Sequence, residues 1–421
     1  MSPQTIHRPA ADIPVMLKTE VLVCGGGPAG TAAALAAARL GAKVTILERY
    51  NHLGGLATGG LVLVLPHFID NGRRTIGGLG LEMRDAMAAT GEAWAHGPGD
   101  AVYFDPEALK WLSVKLCVDA GVEVLHHCWL SDAIVEDGRV KGVIFESKAG
   151  TQAALADVVI DATGDGDIFA WAGADFEKSD QAIGIPFRVG GLDIERWMAW
   201  TGQNPDASRE FWESLKQTIE WPGQMFYIAG MNVEQGTGWG NNYYREADGL
   251  DPRVLSEIEV GGRLKIRHAL EVLRKGLPGW EKSWLIDTVS QIGVRRSRRL
   301  NGMYQITGPQ TALVDWRHPD AIGRGNDFRQ QGLVYDIPYG SLVPEKLDGL
   351  LTCGRCLSCD DDALEPIREI HVCWVSGEGA GAAAALAVQA RCQPREVDVP
   401  KLQETLRQNN VAFAQDYPGP V

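Results

Sequence analysis

The sequence predicts an α/β protein with a parallel sheet, built as one discontinuous domain carrying an inserted, mixed α+β region. Three observations predict it. Val21–Cys24 is an apolar run that breaks directly into Gly25-Gly26-Gly27-Pro28-Ala29-Gly30 and then an alanine-rich segment. Strand and glycine signals return from residue 332, with a second alanine-rich segment at 377–389. Between them the chain changes character and becomes rich in Trp, Gly and Arg. The expected division is 1–175 and 332–421 for the discontinuous domain and 176–331 for the insert, which would cap it and face the substrate.

The elements follow in order. After a proline-bearing lead-in comes a strand at Glu20–Cys24, a helix from Pro28 to about Leu40 and a strand at Lys43–Leu47. Alanine is the strongest helix former and keeps a helix thin enough to lie close on a sheet. Gly41 stops that helix. Segment 103–120 reads as a helix, 122–128 and 131–146 as strands turning at Glu136-Asp137-Gly138-Arg139, and 157–161 as a strand. A βαβ order of this kind implies parallel strands and a Rossmann-like domain.

Composition bounds the partners. The 421 residues carry a net charge of -14, which argues against nucleic acid and anionic membrane surfaces. No apolar run approaches a membrane span. The N-terminus lacks a basic start followed by an apolar stretch, so no secretion signal is expected. Eight cysteines, scattered apart from one cluster, fit a cytoplasmic chain with reduced thiols.

The glycine turn fits G-x-G-x-x-G between a strand and a helix. Gly25 permits the turn, Gly27 lets backbone approach a pyrophosphate, and Gly30 lets helix pack on strand. The helix start at Pro28 and Ala29 offers N–H groups and partial positive charge to phosphates. Glu48 ends the second strand, where an acid accepts ribose hydroxyls. These features predict a dinucleotide site. Local physics does not separate NAD from FAD.

Further stretches narrow the choice. Residues 48–60, ERYNHLGGLATGG, resemble the flavoprotein version, in which a Gly-Gly pair past the acid lies near the flavin. Residues 157–174 resemble a second flavin fingerprint, a strand ending in Ala-Thr-Gly-Asp-Gly-Asp. Residues 349–387 resemble a third, with Gly354-Arg355 after a strand, then a helix. With IGVRRSRRLNGMYQITG at 292–308, the chain resembles the FAD-dependent oxidoreductase family of the glutathione-reductase-like, two-dinucleotide-binding-domain flavoprotein superfamily. The resemblance covers roughly 20–175 and 285–390. It implies FAD as cofactor, held by Gly25, Gly27, Pro28, Ala29, Gly30, Glu48, Arg49, Gly54, Gly55, Ala57, Thr58, Trp129, Thr163, Gly164, Asp165, Gly354, Arg355, Gly377 and Gly379. It also implies that the last helix starts against the pyrimidine edge of the flavin. The sequence departs from fumarate reductases in lacking His-Pro-x-Gly, and from disulfide reductases in lacking C-x-x-x-x-C after the first strand. No second G-x-G-x-x-G marks a built-in nicotinamide site.

The reaction expected is hydride transfer between a small organic substrate and FAD. The electron acceptor is left open among oxygen, a quinone and a protein. Alternatives are a reductase of an unsaturated molecule using an external donor, and a non-catalytic flavin-bearing subunit or sensor. His67 and His371 are the candidate proton acceptors, because histidine titrates near neutrality. Either also reads as a satisfied buried histidine. In the patch Arg295, Arg296, Arg298 and Arg299, one or two guanidinia would grip a substrate carboxylate or a flavin phosphate. Strand alternation selects Arg295 and Arg299; salt bridging to surface acids is the other reading. Arg368 and Glu365 lie in the same flavin-side segment. Cys353, Cys356 and Cys359 read first as structural thiols, with a redox pair or a metal site as alternatives; no metal is expected. The aromatics between 194 and 244 form either a core or dimer contact, hence room for a homodimer, or a substrate pocket. Asn241–Glu246 reads as a mobile lid.

Overall fold

A computed structural model of the chain describes residue 6 and residues 10–95 and 100–414. The expected lead-in and C-terminal ends at 1–5, 7–9 and 415–421 lie outside the described residues. The centre is a seven-stranded sheet. Its spatial order runs Glu123–Leu125, Val44–Leu47, Val15–Cys24, Gly150–Asp161, Arg139–Ser147 and Trp129–Glu136. Leu350–Thr352 pairs in parallel with the last three residues of Gly150–Asp161. The strands at 123–125, 44–47, 15–24, 150–161 and 350–352 all run parallel. The hairpin 129–147 adds two antiparallel strands.

Register aligns the parallel strands at one edge. Cys24 stands opposite both Leu47 and Asp161, and Asp161 stands opposite Thr352. A ligand crevice outside these carboxyl ends is the general consequence of such a sheet. Val21–Cys24 is fully buried on both faces. That explains why it reads as a continuous apolar run rather than an alternation.

Two helices cover one face of the sheet, Pro28–Arg39 and Ile370–Ala390. They meet backbone to backbone. A Cβ added at Gly377 would lie 2.1 Å from the Ala29 carbonyl oxygen, and one at Gly381 2.0 Å from that of Ala33. Glycines four apart on one helix thus face alanines four apart on the other. The second helix begins seven residues before its alanine-rich part, because the apolar run from Ile370 to Val375 is helical too. It is buried all round, so no amphipathic stripe announces its start.

The expected helix at 103–120 is a short strand, Val102–Phe104, followed by the helix Pro106–Asp119, with Asp105 capping the Glu107 N–H. Between 176 and 331 lie helices Ile194–Gln203, Pro205–Thr218 and Pro252–Gly276. A four-stranded antiparallel sheet joins them, ordered Ile228–Asn232, Thr237–Gly240, Phe187–Gly190 and Trp284–Thr288. Trp197, packed edge-on against Trp280 at 5.1 Å, belongs to the core of this part. The hairpin Ala321–Asn326 with Val334–Pro338 returns to the Ile370–Ala390 helix, where Ile322 packs against Gly379. Among the described residues no helix is long and apolar enough to cross a membrane.

Candidate active site

The glycine turn sits at the carboxyl end of the first strand. Gly25 has φ +102°, and a Cβ there would lie 2.6 Å from the Ala162 carbonyl oxygen. Gly30 faces the Gly25 carbonyl, 1.9 Å from where its Cβ would stand. Both positions therefore require glycine. Above Gly27, by contrast, an added Cβ meets nothing within 4 Å. The turn is open on that side and closed on the other.

Neighbouring segments lock this geometry. The Glu48 carboxylate accepts the Gly26 N–H at 2.7 Å and the Tyr50 N–H at 2.8 Å. The Gly54 N–H donates to the Gly26 carbonyl at 2.7 Å. Thr58 Oγ1 donates to the Leu53 carbonyl at 2.7 Å, and Ala57 and Thr58 are fully buried behind the loop. On the next strand Asp161 accepts hydrogen bonds from Thr163 Oγ1 and from the Ile168 and Phe169 N–H groups, at 2.7, 2.9 and 3.1 Å. Burial pushes its pKa up to about 6, against the pull of those hydrogen bonds. Asp161 thereby fixes the loop Thr163–Asp167. Ser297 Oγ and the Arg355 guanidinium both donate to Asp165, at 2.7 and 3.4 Å, and that guanidinium lies against Gly164.

One cavity of about 590 Å³ runs along these ends. At one extremity its wall includes Glu48, Arg49, Cys128 and Trp129. The Arg49 guanidinium lies 5.4 Å from the centroid of the Trp129 ring, whose residue is 59% exposed. The middle is walled by Gly25, Gly27, Pro28, Ala29, Gly55, Thr163, Gly164, Asp165, Gly354 and Arg355. The far end combines the apolar Val62, Val64, Pro66, Pro186 and Trp239 with the polar Asn241, Tyr243, Gln291, Arg295, Arg368 and Glu369.

The remaining predicted residues lie off this wall. Gly30, Gly54, Ala57 and Thr58 pack the turn and its loop. Gly377 and Gly379 face Ala29 and Ile322, so their small size serves helix packing. Arg299 is buried and saturated, donating to the Cys359 carbonyl at 2.9 Å and Ser179 Oγ at 2.8 Å and pairing with Asp361 at 2.6 Å. His371 is fully buried, its Nε2 2.7 Å from Asn326 Oδ1, and burial lowers its pKa to about 3. His67 stands 3.6 Å from Asp100, and its carbonyl accepts from Asn326.

Other residues on the wall were harder to foresee. Glu369 caps the Ile370–Ala390 helix without a side-chain capping bond, and its carboxylate stands 3.9 Å from Arg368. Burial raises its pKa, while Arg368 opposes the rise. No glycine or spacing pattern marks it. Tyr243 belongs to the segment read as a lid, yet Tyr243–Ala247 is a strand paired with Gln181–Gly184. Its ladder anchors it, which corrects that expectation. Trp239 leaves the aromatic core to reach the wall, its indole N–H donating to the Leu61 carbonyl at 2.6 Å. Cys353, Cys356 and Cys359 are fully buried, and burial raises all three thiols. Among the described residues no three His, Cys, Asp or Glu side chains converge as a metal site.

A family model described as FAD dependent oxidoreductase matches residues 20–406. The chain belongs to the FAD-dependent oxidoreductase family. FAD is the family's cofactor. The site fits that group on its own evidence. The space above Gly27 is open, and the buried Oε1 of Gln291 and Nε of Arg368, both residues of the wall, have no hydrogen-bond partner among the described residues. Individual relatives match over shorter stretches. Digeranylgeranylglycerophospholipid reductase 2 of Methanopyrus kandleri is 33% identical over 162 residues, 35% of this chain and 38% of that protein. Thiamine thiazole synthase of Aeropyrum pernix is 36% identical over 129 residues, 30% of this chain and 44% of that protein. These matches thus span about two fifths of the relatives' own length. A solved geranylgeranyl bacteriochlorophyll reductase-like protein of Thermoplasma acidophilum is 16% identical with a TM-score of 0.49, covering 93% of this chain and 83% of that one.

Proposed function

We propose that this FAD-dependent oxidoreductase moves a hydride between a small organic molecule and FAD lying along the carboxyl ends of the parallel strands. The observation that carries the reading is one continuous cavity lined by Glu48, Trp129, the open glycine turn and Glu369. FAD, when bound, supplies the hydride-accepting or hydride-donating ring. The chain supplies position, charge and dryness. Gly27, Ala29 and Arg355 hold the pyrophosphate through N–H groups and a guanidinium. Glu48, Arg49 and Trp129 hold the adenosine. At the far end the N-terminus of the Ile370–Ala390 helix favours negative charge.

Val62, Pro186 and Trp239 exclude water from the substrate end. The acid–base group there is Glu369, because this residue lines the cavity whereas neither His67 nor His371 does. The glutathione-reductase-like placement is supported by the three glycine-bearing segments in their order along the chain. The division into 1–175 with 332–421 and 176–331 is supported by the separate four-stranded sheet of the insert; at the second boundary the 321–338 hairpin pairs across the division and packs with the C-terminal part. A cytoplasmic location is supported by eight free thiols.

The test is reconstitution with FAD followed by anaerobic mixing with a panel of metabolites. Retained flavin and bleaching of its visible band by an organic reductant are expected. A colourless protein that takes up no FAD overturns the reading.

A further inference from the structure

We propose that the substrate is an organic carboxylate with an apolar body, its carboxylate seated on Arg295. The proposal rests on the reading of the cavity given above and adds the chemistry of what enters its far end.

Four arginines crowd residues 295–299, and three of them have a carboxylate partner. Arg296 stands 3.4 Å from Asp361, Arg298 2.9 Å from Asp167, and Arg299 2.6 Å from Asp361. Arg368, across the cavity end, is held by Glu365 at 2.7 Å. Arg295 differs. It is 7% exposed and lines the cavity, yet among the described residues no carboxylate lies within 4.0 Å of it. Its partners are neutral: the Ala182 carbonyl at 3.2 Å and Asn241 Oδ1 at 3.5 Å.

Glu369 and Glu365 act on Arg295 only from beyond ion-pair distance, and a buried guanidinium with no carboxylate in contact is costly and is retained where a ligand completes it. This one is also held in place. Its plane lies over the Tyr243 ring at 3.9 Å, and its two hydrogen-bond partners sit on the paired strands Gln181–Gly184 and the approach to Tyr243–Ala247. A planar, immobilised guanidinium matches a carboxylate better than it matches a spherical anion. Val62, Val64, Pro66, Pro186 and Trp239 of the same cavity offer no charge and suit a hydrocarbon or aromatic body.

The experiment uses the FAD-loaded protein with benzoate as probe and benzamide as its uncharged isostere. Binding is read by calorimetry and by perturbation of the flavin spectrum. Benzoate is expected to bind about tenfold or more tighter than benzamide, and Arg295→Gln to weaken benzoate by roughly ten- to a hundredfold while leaving benzamide and flavin content unchanged. Arg295→Lys, keeping the charge without the fork, falls between. Equal binding of the two probes by the unaltered protein overturns the proposal without any variant. So does a benzoate preference that survives in Arg295→Gln, or a variant that shifts only the flavin potential. If the protein retains no flavin, the cofactor reading fails instead; calorimetry with the two probes still scores Arg295 on its own.

Discussion

At the residue scale, similar side chains acquire opposite roles from their neighbours. Arg295 and Arg299 are both buried, although the strand expected to align them runs only over Arg298–Leu300, and Arg299 is consumed by Asp361, Ser179 and a carbonyl while Arg295 lines the cavity. His371 is the better-placed histidine in sequence, before the second alanine-rich helix. Burial has made it neutral and tied it to Asn326. Glu369, two residues earlier, lines the cavity, and burial holds its pKa above the ordinary glutamate value. A base must be deprotonated to act. Activity should therefore rise with pH through a midpoint above that of a solvated glutamate. Glu369→Gln should lower kcat by roughly 10²- to 10⁴-fold and flatten the acid limb of the profile. A variant with full activity and an unchanged limb removes Glu369 from proton transfer.

Helices set the next level. The contact of Gly377 and Gly381 with Ala29 and Ala33 holds the helix that opens at the glycine turn against the one that starts at Glu369. The two ends of the cavity are thus coupled by one interface. Gly377→Ala places a methyl 2.1 Å from a backbone oxygen that cannot move aside. A loss of roughly 1–3 kcal/mol is expected in denaturant melts, with weakened FAD retention. Glu378, on the same helix, faces elsewhere. Its carboxyl is 3% exposed and accepts the Leu79 N–H at 2.8 Å, near the start of the Gly78–Ala89 helix. Burial raises its pKa from 4.5 to about 8. Because the folded-state value lies above the unfolded one, the folded chain holds a proton that the unfolded chain releases, and stability falls as pH rises between the two. Glu378→Gln should leave melting unchanged at about pH 4 and raise the melting temperature progressively toward about pH 8. An equal effect at both ends would show that the carboxyl is not held neutral.

At the scale of the whole molecule, the sheet register, the helix pair and the inserted part converge on one elongated cavity. Ligand binding to the folded state alone stabilises it by mass action, about 2.7 kcal/mol at a hundred times the dissociation constant. The FAD reconstitution test therefore has a second readout, a melting temperature that climbs with FAD concentration. Much of this plan was legible in the chain. The turn Gly25–Gly30 and the acid Glu48 led to the expectation of an ADP end, because a tight turn, a backbone approach and a ribose contact each demand a residue type at a set spacing. The alanine-rich helices were visible for a similar local reason. Where the second helix begins was not, since burial on every side erases periodicity. The end proposed for the substrate was only partly legible. Arg295 stood out in the arginine patch and Tyr243 only as part of a supposed lid, while Gln291 and Glu369 have no fixed spacing to either. Local chemistry, then, determined that the chain binds a dinucleotide and how its first βαβ unit is built. Which arginine stays unpaired, which acid reaches the cavity and which histidine is sealed away were decided only by the tertiary structure, because counter-ions and solvent are assigned by packing between segments that the sequence keeps apart.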